Sequence, residues 1–191
     1  MTVTVAGVVT FFQLEKGAFQ SSAIVNTGLA GTAVSRNADV LSNVSAGNLP
    51  ANGVFSITGE ITPSTTLGST TVFHWGTYVD ASNYTAVLSD GTNLIARKRI
   101  GGSNHDATVA FTRTVGTAVK YGARFDGVNG VDIWLSGTKG TNDSTTTAAQ
   151  IGTSFQEGAD GNGANQDFCA HRNRVIYDRG VSDGRMAALT S

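Results

Sequence analysis

Few residues in this chain have the types and spacing that could do chemistry. Asp160-Gly-Asn-Gly-Ala-Asn-Gln-Asp167 offers oxygen donors at Asp160, Asn162, Asn165 and Asp167, a hard donor set of the kind calcium prefers. It is not an EF-hand, because His171 stands where a bidentate acid would close the loop, and Gly/Asn runs also make ordinary turns. A second group combines aromatic faces with fixed polar groups, as sugar binding requires: His74, Tyr78, Asp80, Asn83 and Tyr84, with Trp134 farther on. His74 and Tyr78 fall on the less apolar face of their strand, and Trp134 shares a face with Asp132, so these aromatics are expected at the surface. Trp134 also suits a second packing layer, formed with the amino-terminal segment or a subunit. Cys169 and His171 sit two apart on one strand face, and the expected reading there is a small buried thiol beside a polar strand residue.

Hydrolysis finds no apparatus. A retaining glycosidase needs two carboxyl groups roughly 5 Å apart. The three glutamates, Glu15, Glu60 and Glu157, have no such neighbour in sequence. His74, His105 and His171 lie in separate elements, and no serine has a nucleophile-elbow context. No enzyme is expected.

The elements that must position these residues are strands. In Val119-Lys-Tyr-Gly-Ala-Arg-Phe125, Val119, Tyr121, Ala123 and Phe125 alternate inward against Lys120 and Arg124. Phe55, Ile57 and Ile61 share one face of another strand, and Phe73, Trp75 and Val79 are expected to share the apolar face of a third. Residues 84–88 and 94–100 flank the turn-rich Ser89-Asp-Gly-Thr-Asn93 and read as a hairpin. With 31–41, 108–112, 131–135, 151–155, 168–177 and the strand-like opening segment this makes about a dozen short strands, an all-β, two-sheet antiparallel jelly-roll sandwich. Ser182 is the expected N-cap of one short C-terminal helix ending near Ala188, with Met186 and Leu189 at helical spacing. Arg185 at the third helical position removes the capping box, and Gly184 costs up to about 1 kcal/mol against alanine, so docking must hold this helix.

Three stretches carry a resemblance. Arg174-Val-Ile-Tyr-Asp-Arg-Gly-Val-Ser-Asp-Gly-Arg-Met-Ala-Ala-Leu-Thr190 resembles the closing signature of the concanavalin A-like lectin/glucanase superfamily, particularly its laminin G-like branch. The match lies at Tyr177, Asp178, Arg179, Ser182, Asp183, Ala187, Ala188 and Leu189, with departures at Gly180, Gly184 and Arg185. Val131-Asp-Ile-Trp-Leu-Ser-Gly-Thr-Lys139 is similar to a hairpin of laminin G-like domains. Residues 31–41, with Arg36-Asn-Ala-Asp39, and 53–63 resemble the opening of such domains in bacteriophage tail and fibre proteins. The resemblance implies a concanavalin A-like domain over residues 32–191 and a non-enzymatic virion component: a tail fibre, a tail tip or a capsid decoration. Its implied partners are other virion proteins and further copies of itself, as a homo-oligomer such as a trimer. The alternative it implies is a module that recognises host-surface glycan.

Residues 1–31 read differently. Val8, Val9, Phe11, Phe12 and Leu14 give both faces of the opening segment apolar residues, followed by small ones. The segment suits an assembly or anchoring arm, or an extra edge strand of the sandwich. Thirteen basic residues against fourteen acidic ones leave a net charge of −1, so no electrostatic footprint for nucleic acid is present. No apolar run reaches membrane-spanning length, and the start has no signal-peptide pattern, so release within a virion is the expected route. One cysteine excludes an intrachain disulfide, and no cofactor beyond calcium is suggested.

Overall fold

The computed structural model describes residues 41–44, 50, 52–65, 70–127 and 129–191. The arm expected over residues 1–31 and the Arg36–Asp39 stretch lie outside the described residues.

Among the described residues, eleven strands precede one helix: β1 Leu41–Val44, β2 Phe55–Pro63, β3 Val72–Asp80, β4 Asn83–Ser89, β5 Asn93–Ile100, β6 Ser103–Ala110, β7 Val119–Asp126, β8 Gly130–Leu135, β9 Thr138–Asp143, β10 Ser154–Glu157, β11 Cys169–Tyr177 and α1 Asp183–Thr190. They form a six-stranded sheet, β1-β10-β3-β4-β5-β6, and a five-stranded sheet, β11-β2-β7-β8-β9. Every pairing of these strands is antiparallel. This is the expected sandwich. Its core is the two inner faces together: Phe55, Ile57, Tyr121, Phe125, Val131 and Ile133 from one sheet against Trp75, Val87, Leu94 and Ala96 from the other. The inward alternation of Tyr121, Ala123 and Phe125 is as expected, and all three are fully buried.

One strand departs from plain alternation. In β3, Phe73 pairs with Leu88, yet Trp75 pairs with Val87, so His74 is an extra residue in a β-bulge. The bulge turns Phe73 to the outer face, where it joins Tyr84, Ala86, Leu88 and Ile95, while Trp75 enters the core. Phe73 and Trp75 therefore do not share a face as expected, and Val79 is 55% exposed.

Helix α1 docks on the outer face of the five-stranded sheet. Met186 and Val181 pack on Trp134, with Tyr177, Ala187 and Leu189 around them. Ser182 is the N-cap of α1, as expected, with an extended backbone, but it makes no side-chain capping bond. The helix is anchored from the sheet instead: Asp183 Oδ1 lies 2.7 Å from Arg124 Nη1 and Oδ2 lies 2.8 Å from Lys139 Nζ. Arg124 Nη1 also donates to the Val181 carbonyl at 3.0 Å, and the Val181 N–H donates to Ser56 Oγ at 2.9 Å.

Candidate functional site

Two places in the sandwich gather chemistry. The first lies where the β3 bulge meets the segment entering β11. His74 is 0% exposed; its Nδ1 lies 2.7 Å from Asp167 Oδ2 and its Nε2 lies 3.0 Å from Ser89 Oγ. His171 Nε2 approaches the same Asp167 oxygen to 2.8 Å, but out of line for a hydrogen bond. The Cys169 N–H donates to Asp167 Oδ1 at 3.1 Å, and its thiol lies 3.5 Å from the Asp167 carbonyl. Arg113 donates to that carbonyl as well. Beyond His171, Arg174 Nη2 lies 3.0 Å from its Nδ1, and Glu157 Oε1 lies 3.5 Å from the same atom.

Burial sets the charge states here. Desolvation pushes His74 below the usual imidazole value, outweighing the opposing bond and charge of Asp167. Burial alone would raise the Asp167 carboxyl, yet the close approach of the His171 and His74 ring nitrogens holds it well below the usual carboxylate range. Burial, and then the Asp167 charge, push the Cys169 thiol up to about 12. Asp167 is therefore ionised at neutral pH, His74 is neutral and Cys169 is a thiol. The neutral His74 tautomer that fits donates from Nδ1 to Asp167 and accepts from the Ser89 hydroxyl at Nε2.

Ser89, His74 and Asp167 thus stand in the order of a hydrolase relay. Ser89 is only 3% exposed, so this relay is buried in the packing between the strands. The glutamates do not pair either. Glu157 is bound to Arg174, and Glu60 stands in register with Lys120 and Arg172. Glu15 lies outside the described residues.

The second place is the outer face of the six-stranded sheet. Register aligns Tyr78, Tyr84, Arg99 and Asn104 in one row across β3, β4, β5 and β6, and directly opposed residues point to the same side. The next row is Gly76, Ala86, Arg97 and Asp106, and the third is Phe73, Leu88, Ile95 and Thr108. With no side chain at Gly76, the Tyr78 ring lies back along its own strand; a Cβ at residue 76 would meet the Tyr78 hydroxyl at 2.5 Å. The Tyr78 and Tyr84 rings are 5.4 Å apart and Phe73 lies 6.0 Å from Tyr84. The Arg99 guanidinium sits 5.9 Å over the Tyr84 ring, and its buried Nε has no hydrogen-bond partner among the described residues. Arg97 grips Asp106 with two bonds of 2.7 Å. Asn104 is exposed at the end of the tyrosine row.

The structure separates the residues expected to bind sugar. Tyr78 and Tyr84 do meet, with Tyr84 buried and Tyr78 half-buried. His74 is not a surface aromatic, because the bulge aims it at Asp167. Trp134 is 1% exposed, on the other sheet beneath α1, with Arg124 and Lys139 at 5.3 and 5.1 Å from its ring. The second packing layer over Trp134 is formed here by α1. Asp80 and Asn83 spend their polar atoms on a turn frame: Asn83 Nδ2 donates to Asp80, Ser82 N–H donates to Asp80 Oδ1 at 2.7 Å, and Gly101 N–H donates to Asn83 Oδ1 at 2.9 Å. Sequence reasoning missed Arg99 and Asn104. Their signal was register, since both follow from pairing the 84–88 and 94–100 runs and continuing to the next strand.

The calcium set is also divided. Asp160 Oδ1 accepts from the N–H groups of Asn162 and Ala164, both at 2.9 Å, and Oδ2 accepts from Asn165 Nδ2 at 2.6 Å. That makes a self-capped turn. Asp167 points away from it, to the histidines, so the four oxygen donors do not converge on one ion.

No protein-family model matches the chain, and no curated protein matches it in sequence. Solved structures do share its fold. The native heptameric SAP-like pentraxin from Limulus polyphemus is 16% identical with a TM-score of 0.56, over 75% of this chain and 72% of that one. Domain 4 of an extracellular arabinanase from Geobacillus stearothermophilus, solved with arabinotriose, is 12% identical with a TM-score of 0.59, over 73% of this chain and 67% of that one. The CBM40 module of the Ruminococcus gnavus IT-sialidase is 10% identical with a TM-score of 0.58, over 74% and 84%. The same module has also been solved bound to α2,3-sialyllactose. These likenesses establish the fold, a concanavalin A-like jelly roll.

Proposed function

We propose that the chain is a non-catalytic recognition module, a lectin-like jelly roll that presents a glycan-binding face on a bacteriophage particle. One observation carries the glycan half: the row Tyr78–Tyr84–Arg99–Asn104, in which a guanidinium lies over an aromatic ring beside an exposed amide. A sugar needs an apolar face beside fixed polar groups. Arg99 supplies the donor, Asn104 a donor and an acceptor, and the tyrosines the apolar support, while the Asp80–Asn83 frame holds the turns rigid. Two of the similarly folded modules were solved with arabinotriose and sialyllactose, which supports the same class of ligand. The virion half rests on the resemblance of residues 31–41 and 53–63 to the opening of such domains in bacteriophage tail and fibre proteins. Its partners are other virion proteins and further copies of this chain.

A glycan array tests the first half. The full chain should bind a discrete set of glycans, and Arg99→Ala should weaken them about 10-fold or more, as losing a charge-assisted bond of ~1.5–3 kcal/mol implies. Binding that survives Arg99→Ala unchanged places the site elsewhere. A particle-resolved map tests the second half, which fails if the chain is absent from purified virions.

A further inference from the structure

The cluster beneath the β3 bulge has no part in that surface. We infer that His74, Asp167 and Cys169 form a binding site for a borderline divalent transition metal such as zinc, with His171 Nε2 as the fourth donor. The ligand atoms of His74, Asp167 and Cys169 all lie within 4.8 Å of one another. Imidazole, carboxylate and thiol together suit zinc and its neighbours, whereas calcium and magnesium take shells of oxygen.

The backbone is bent to make this meeting. The bulge delivers His74 from β3 to the cluster. Phe168, between Asp167 and Cys169, has φ of 49°, a left-handed conformation that costs a non-glycine residue on the order of 1–3 kcal/mol and that collects at ligand clamps. Partners for an outer shell are present as well. Ser89 Oγ stands at the far nitrogen of His74, and the Glu157 carboxylate stands at the far nitrogen of His171. The hydroxyl of Ser89 can donate to His74 Nε2 in the metal-free protein and accept from it when Nδ1 turns to the ion.

The two imidazoles stand closer to Asp167 than a shared ion would leave them. His74 Nδ1 and His171 Nε2 lie 2.7 and 2.8 Å from Asp167 Oδ2. Donors around tetrahedral zinc, with bonds of ~2.0–2.1 Å, stand about 3.3 Å apart. Binding therefore parts them by roughly half an ångström. Cys169 releases its thiol proton to solvent. His74 keeps its proton, moved to Nε2 toward Ser89, and His171 carries one on Nδ1 toward Glu157, with the Arg174 guanidinium, a donor 3.0 Å from that nitrogen, turned aside. Loading must weaken as pH falls, because it liberates a proton.

The full chain, stripped with a chelator, should be titrated with cobalt(II) as a spectroscopic stand-in and then with zinc. One ion per chain is expected, with a thiolate-to-cobalt charge-transfer band and the intense visible bands of a tetrahedral ion. Zinc should displace it. Cys169→Ser should abolish the charge-transfer band, and Ser89→Ala should weaken binding by about 10–100-fold, the usual effect of losing an outer-shell partner. A readout on the unaltered chain guards against misfolded variants: zinc should slow alkylation of Cys169, the only thiol. Absence of stoichiometric binding, a charge-transfer band that persists in Cys169→Ser, or alkylation indifferent to zinc would each overturn the assignment.

Discussion

Gly122 lies directly beneath Met186, so close that a Cβ at residue 122 would come within 2.6 Å of Met186 Cε and 3.0 Å of Thr190 Cγ2. The missing side chain lets α1 seat on the five-stranded sheet without a side-chain cap. Gly122→Val should therefore overpack this contact and cost ~1–3 kcal/mol, read as a lowered midpoint in thermal melts. An unchanged midpoint would mean that α1 contributes little to the fold.

The same docking site holds a buried charge network. Asp132 is fully buried between Arg124 and Lys139, both of which also reach Asp183. Asp132→Ala strips the compensating charge from a buried guanidinium and should cost about 3–5 kcal/mol in urea unfolding. Asp183→Ala, at the half-exposed end of the network, should cost much less. Equal losses would contradict this placement of the charges.

Acid should weaken the fold in two windows. His74 and Asp167 both have folded values below their ordinary ones, so the unfolded chain binds more protons in each window and stability rises with pH there. The His74 contribution is lost as pH falls below about 6.5, and that of Asp167 only below about 3.9. Unfolding free energy should thus decline from pH 7 to pH 5, and His74→Gln should flatten that decline. An equal slope in the variant would show that His74 is not the titrating group.

Much of the architecture was legible because burial on one face imposes a period of two. Val119 to Phe125 is the clearest case, and the closing stretch gave the helix. What escaped was local and cooperative. A bulge at His74 leaves no mark in a pattern of apolar residues, yet it puts Phe73 and Trp75 on opposite faces. Trp134 beside Asp132 looks like a surface pair until α1 and the Arg124–Asp183 bridge cover both. The oxygen-rich loop was visible as composition, but composition does not say that Asp160 caps its own turn while Asp167 faces the histidines. Arg99 and Asn104 became visible only once three strands were in register.

The central claim is that the tyrosine row is a recognition face, and amide hydrogen exchange with a bound glycan tests it most directly. The full chain should be compared with and without a glycan that it captures on an array. Added protection is expected over residues 78–84 and 97–106, the strands and turns that carry Tyr78, Tyr84, Arg99 and Asn104, with little change around α1. Protection confined to residues 160–171 or to the face around Trp134, or no captured glycan at all, would contradict it.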